Sequence, residues 1–195
     1  MSAFADVAVL GAGTMGHALA LVHALAGASV RLFDVRADAL ERAFHLIDAA
    51  LATLREAGEV EAAAAEAARA RIAPAATLEA AVTSAELVVE TVVEDREVKR
   101  AVLDAVARAA TGRAVVTSNT SYLDVFPLMP EALSPRAAIA HWYTPPYILD
   151  LVDLVPGPAT EPALLDRLEA FYRAIGKRPV RFARPLAGYV ANRLQ

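Results

Sequence analysis

Residues 7–34 read VAVLGAGTMGHALALVHALAGASVRLFD: an apolar strand, the turn Gly11-Ala12-Gly13-Thr14-Met15-Gly16, a helix, a second strand and an acid. The parts come in the order a dinucleotide requires. Gly11 allows a tight turn, Gly13 lets the backbone approach a pyrophosphate without an intervening side chain, and Gly16 allows close helix–strand packing. The helix start then offers free N–H groups and a positive dipole end to phosphates, so Thr14 and Met15 belong to the cradle with the glycines. Asp34, closing the second strand, can accept hydrogen bonds from both adenosine ribose hydroxyls, which favours NAD over NADP. Arg36 follows within reach of a 2′-phosphate, but Asp34 sits nearer the ribose and repels that group.

Outward from this stretch, strand-like runs recur near 6–10, 29–34, 86–91, 114–118, 137–141, 151–155 and 179–183, separated by helical patterns. That alternation predicts an α/β fold, a Rossmann-type doubly wound sheet that is mostly parallel, with the later strands free to leave parallel order. Between the second and third runs lie about two helices' worth of amphipathic sequence broken at Ala57-Gly58, an inserted helical hairpin. It reads equally as a long crossover connection and as a flap over a large substrate. Pro156-Gly157-Pro158 marks a turn, with Thr160 an N-cap candidate for the helix that follows. Residues 1–186 form the dinucleotide domain. The final GYVANRLQ, within 187–195, reads as the start of a helical C-terminal domain.

The composition narrows the function classes. In 195 residues, 56% are hydrophobic and 22% charged, the net charge is −4, and no basic run suggests a nucleic-acid surface. The chain has no cysteine, which excludes disulfides, thiol catalysis and zinc–thiolate sites. No segment is apolar enough to span a membrane, and the N-terminus lacks the regions of a signal peptide, so a cytoplasmic location is the expectation.

Three polar patches fall at the C-terminal edges of strands, where open α/β sheets bind ligands. VVTSNTSYL places Ser118, Asn119, Thr120 and Ser121 there, either to hydrogen-bond a nicotinamide or substrate oxygen or to cap the next helix. VVETVVEDREVKR puts Glu90, Glu94 and Lys99 near the same edge, although a solvated helix start explains Glu94 and Asp95 nearly as well. In IAHWYTPPYILDLVDLVPG, His141 ends one strand and Asp153 lies on the next, so an imidazole and a carboxylate can meet across the pair. Such a carboxylate fixes the tautomer and stabilises the imidazolium formed when histidine takes a proton. A histidine at a strand end is also commonly a satisfied structural residue.

With GAGTMG, Asp34, VETVVED followed by Lys99, SNTS, the His141–Asp153 spacing around Pro-Pro, LVPG, GKRPV and GYVANRL all in order, the chain resembles the L-3-hydroxyacyl-CoA dehydrogenases over its whole length. The wording around 146–160 is closer to the gulonate dehydrogenase, carnitine dehydrogenase and lambda-crystallin branch. The resemblance implies NAD as cofactor, His141 as the base, Asp153 orienting it, and Ser121 and Asn192 hydrogen-bonding the reacting oxygen. It implies cofactor contacts from Glu94 and Lys99, a hydroxy acid or acyl-CoA substrate, and a homodimer built largely by a helical C-terminal domain. A dinucleotide-binding protein with little turnover, like the crystallins, is the alternative.

Three departures from the family pattern stand out. Asp153 replaces the usual glutamate, which draws the carboxylate back by about 1.5 Å. Thr144 replaces an asparagine. Ala50 and Ala57 stand where acyl-CoA members carry a serine and a lysine, and the hairpin has no lysine, which favours a small substrate without CoA, although Arg42 and Arg55 could still serve.

Overall fold

The computed structural model describes residues 4–184 and 189. Eight strands form one sheet in the order β3-β2-β1-β4-β5-β6-β7-β8. These are β1 (Asp6–Leu10), β2 (Ser29–Phe33), β3 (Ile72–Pro74), β4 (Leu87–Glu90), β5 (Val115–Ser118), β6 (Ala137–Trp142), β7 (Leu151–Pro156) and β8 (Arg178–Arg181). Every adjacent pair is parallel except β6 and β7, which run antiparallel. Central strands buried on both faces read as continuous apolar runs, as in LVVE and AAIAHW.

Helices cover both faces. On one side lie α1 (Gly16–Leu25), α2 (Ala37–Glu56), α3 (Ala62–Ala70) and α6 (Pro162–Ala174), whose apolar residues share a core with Val7, Val9, Trp142 and Leu154. On the other lie α4 (Leu78–Val82) and α5 (Arg96–Ala109), packed with Ala8, Leu10, Val88 and Ile139. Because β1 pairs with β2 on one side and β4 on the other, the order in which strands are added reverses beside β1, and the crevice at its C-terminal end faces solvent.

The hairpin takes the crossover reading, and the cap reading of Thr160 needs amending. The hairpin is the crossover from β2 to the parallel strand β3, an edge strand the sequence reading did not find. It lies against α1 through Ala43, Ile47, Leu51, Leu54, Ala65 and Ala68 rather than standing off the sheet. Thr160 does not cap α6, whose N-cap is Glu161 without a side-chain bond. Its hydroxyl instead donates to Ala137 O and accepts from Gly157 N–H at 2.8 Å, tying the turn to β6. Among the described residues no helix is long and apolar enough to cross a membrane.

Candidate active site

A cleft of about 540 Å³ opens at the C-terminal end of β1, walled by the Gly11–Met15 turn, the ends of β2 and β4, and Asn119 and Ser121. Gly11 adopts φ 99°, and a Cβ there would come within 2.7 Å of Thr91 O. A Cβ on Gly16 would lie 1.7 Å from Gly11 O, so α1 can begin this close to the turn only at glycine. Gly13 is different: a Cβ there meets nothing within 4 Å and would point into open space. The first turn of α1 has Met15 as N-cap and no side-chain cap, which leaves its N–H groups for an anion. His17, which sequence reasoning passed over, supports the turn, its Nδ1 donating to Gly13 O at 3.0 Å.

Asp34 closes the cleft at the far side. Its Oδ2 accepts from Ala12 N–H at 2.7 Å and its Oδ1 from Arg36 N–H at 2.9 Å. Each oxygen retains a second lone pair for a ribose hydroxyl. The Arg36 guanidinium is paired with Asp38, first through a hydrogen bond that holds Arg36 above its ordinary pKa, and so is engaged away from a 2′-phosphate. Open space at Gly13, an uncapped helix start and a carboxylate at the end of β2 fit the pyrophosphate and adenosine ribose of NAD.

The second polar patch divides in two. Lys99 is turned inward, its Nζ donating to Glu90 Oε1 at 2.7 Å and to Val92 O at 3.3 Å, both side chains essentially without solvent contact. Ser118 completes that buried group by donating to Glu90 Oε2. The polar atoms of Lys99 and Ser118, both expected at the cofactor, are turned to Glu90 and brace the edge of β4 and β5 beneath the cleft. Asp95 is the N-cap of α5, its Oδ1 accepting from Glu97 and Val98 N–H at 2.9 Å.

Glu94 does line the cleft. Its carboxylate gathers the loop after β5, accepting from Thr120 Oγ1 at 2.6 Å and from the N–H groups of Ser121, Tyr122 and Leu123 at 2.7 to 3.1 Å. Partial burial opposes its charge, but these donors outweigh it and hold the carboxyl below its ordinary pKa. Asn119 accepts from Trp142 N–H at 2.9 Å through Oδ1, which leaves its amide N–H₂ as the group available to the cleft.

At the inner end of this loop, His141 Nε2 lies 3.3 Å from Ser121 Oγ. His141 and Asp153 are directly opposite in the β6–β7 register, so their side chains share a face. Nδ1 stands 3.5 Å from Asp153 Oδ2, and both side chains are buried. At that distance Nδ1 faces the carboxylate without a hydrogen bond, while Nε2 faces the Ser121 hydroxyl. Thr144 reaches across the cleft, its hydroxyl donating to Met15 Sδ at 2.9 Å, and Thr14 is exposed beside it. Asn192 lies outside the described residues, as does the proposed boundary at 187.

Comparison with known proteins identifies the fold and its NAD-binding domain. Residues 6–184 match the family model of the 3-hydroxyacyl-CoA dehydrogenase NAD-binding domain. The chain is 32% identical to the human lambda-crystallin homolog, covering all of this chain and 61% of that protein. It is 34% identical to the L-carnitine dehydrogenase of Streptomyces griseus, covering 97% of this chain and 56% of that one. The fold superposes on the 3-hydroxybutyryl-CoA dehydrogenase of Escherichia coli K12 with a TM-score of 0.91 at 32% identity, over 98% of this chain and 40% of that structure. The chain thus spans less than two thirds of each of these three proteins. It belongs to the 3-hydroxyacyl-CoA dehydrogenase family, and residues 6–184 are its NAD-binding domain.

Proposed function

We propose that the protein is an NAD-dependent oxidoreductase that converts the 3-hydroxy group of an L-3-hydroxy acid, or of an L-3-hydroxyacyl-CoA, to a 3-oxo group, with His141 as base. The observation that carries this reading is the distance of 3.3 Å between His141 Nε2 and a serine hydroxyl lining the NAD cleft, with a carboxylate behind Nδ1. Bound NAD supplies the hydride acceptor. His141 takes the substrate hydroxyl proton at Nε2, and Asp153 favours the imidazolium that results. Ser121 Oγ–H hydrogen-bonds the reacting oxygen as it becomes a carbonyl, and by family likeness Asn192 does the same. Gly11, Gly13, Thr14, Met15, Gly16, Asp34 and Asn119 hold the cofactor, while Glu94 fixes the loop that carries Ser121.

A free hydroxy acid is favoured over a thioester. Arg55, at the hairpin turn, shares a small cavity with Glu56 and Glu61, carboxylates that oppose a CoA phosphate. Family likeness supports a homodimer as the working unit. A dinucleotide-binding protein with little turnover is the second reading, favoured by the 3.5 Å gap between His141 and Asp153.

NADH formation measured with L-carnitine, L-gulonate, 3-hydroxybutyrate and 3-hydroxybutyryl-CoA tests the proposal. Turnover of a free acid is the expected result, and preference for the thioester would reverse the substrate assignment. Bound NAD with no turnover of any compound would move the protein to the second reading.

A further inference from the structure

Tyr143 stands two residues beyond His141, and the alternation of β6 carried one step past Trp142 turns both rings to the face that carries Asp153. The two rings meet edge to face, with centroids 4.6 Å apart and an interplanar angle of 86°. The Tyr143 hydroxyl donates to Asp153 Oδ2 at 2.5 Å, and His141 Nδ1 lies 3.5 Å from the same oxygen. One carboxylate oxygen thus faces two donors, and the phenol is the nearer. A phenol O–H donated to a carboxylate oxygen anchors that carboxylate.

We propose that Tyr143 is a positioning residue for the His141–Asp153 pair: its hydroxyl shares Asp153 Oδ2 with His141 Nδ1 and fixes where that carboxylate stands against the ring. The consequence for catalysis rests on the reading of His141 as the base.

The other groups facing His141 do not duplicate this role. Tyr189, whose ring centroid is 4.8 Å away, is pushed up first by burial and then by the carboxylates of Glu94, Asp153 and Asp124 and by Tyr143, so it stays neutral while an imidazole titrates. Glu94, on the far side of Ser121, is held ionised by the loop donors already described. Asp153 is the charge whose reach toward His141 changes when the phenol is removed.

The test is a pH titration of the His141 ring resonance by NMR in the wild-type protein, Tyr143→Phe and Asp153→Asn, with the acidic limb of kcat/KM followed in parallel. Tyr143→Phe keeps the ring and its edge contact and removes only the donor. The His141 midpoint is expected to rise by about half a unit to one unit in Tyr143→Phe, with the acidic limb moving by the same amount and the KM for NAD unchanged, and to fall in Asp153→Asn. A midpoint that stays in place or falls in Tyr143→Phe would overturn the proposal. The titration needs no turnover, so it judges the pair even where His141→Ala shows the base to lie elsewhere.

Discussion

At Gly13 a methyl group would meet no protein atom, whereas at Gly16 it would collide with the Gly11 carbonyl. The two positions therefore separate binding from folding. Gly13→Val should leave the melting temperature within about 2 °C of wild type while weakening NAD at least about tenfold in a calorimetric titration, because the added atoms occupy the space for phosphate. Gly16→Ala should cost about 1–3 kcal/mol in urea unfolding, because the turn or α1 must shift to admit the methyl group. These roles were legible in the sequence because a turn, a helix start and an acid after the next strand are local requirements. Lys99 and Ser118 were not legible in that way. Both meet Glu90, nine residues from one and 28 from the other: the β4–β5 pairing brings Ser118 there, and the first turn of α5 brings Lys99. The part played by Tyr143 was hidden for the same reason, since it depends on a register between β6 and β7 that spacing alone does not fix.

At the scale of elements, the apolar runs revealed seven of the eight strands. The missing one, β3, is the three residues IAP, too short for a periodic signal, and Pro74 is tolerated there because the strand lies at the sheet edge. The hairpin's two amphipathic helices were legible, but their placement was not. An apolar stripe says that a helix is covered on one side without saying by what, and here the cover is α1. The single antiparallel pair matters most for chemistry. Joining β6 to β7 through the short Pro145-Pro146 turn sets His141 opposite Asp153, which a parallel crossover would have separated by a helix.

Across the whole molecule, the layer of α1 and α6 encloses a histidine the chemistry does not use. His23 is fully buried among Phe171 and Trp142, with Nδ1 donating to Leu19 O at 2.7 Å. Burial lowers its pKa from 6.5 to about 4, against the raising effect of the Leu19 carbonyl. In this window the unfolded chain binds a proton that the folded one excludes, so stability is full above pH 6.5 and declines as the pH falls toward 4. Urea unfolding at pH 7 and pH 5 should show a loss of about 2 kcal/mol from this group, absent in His23→Leu. Glu94, with its pKa lowered from 4.5, loses its contribution only at more acidic pH, which keeps the two effects apart.

The account as a whole turns on the division between a glycine-turn cleft that holds NAD and an imidazole at its inner end that moves the proton. The most direct test is NAD affinity and NADH formation measured side by side for wild type and His141→Ala on whichever hydroxy compound is turned over. An NAD dissociation constant within about twofold of wild type with kcat lowered by about 10²- to 10⁴-fold is the predicted result. Turnover that survives the substitution, or NAD binding lost together with it, would contradict the account.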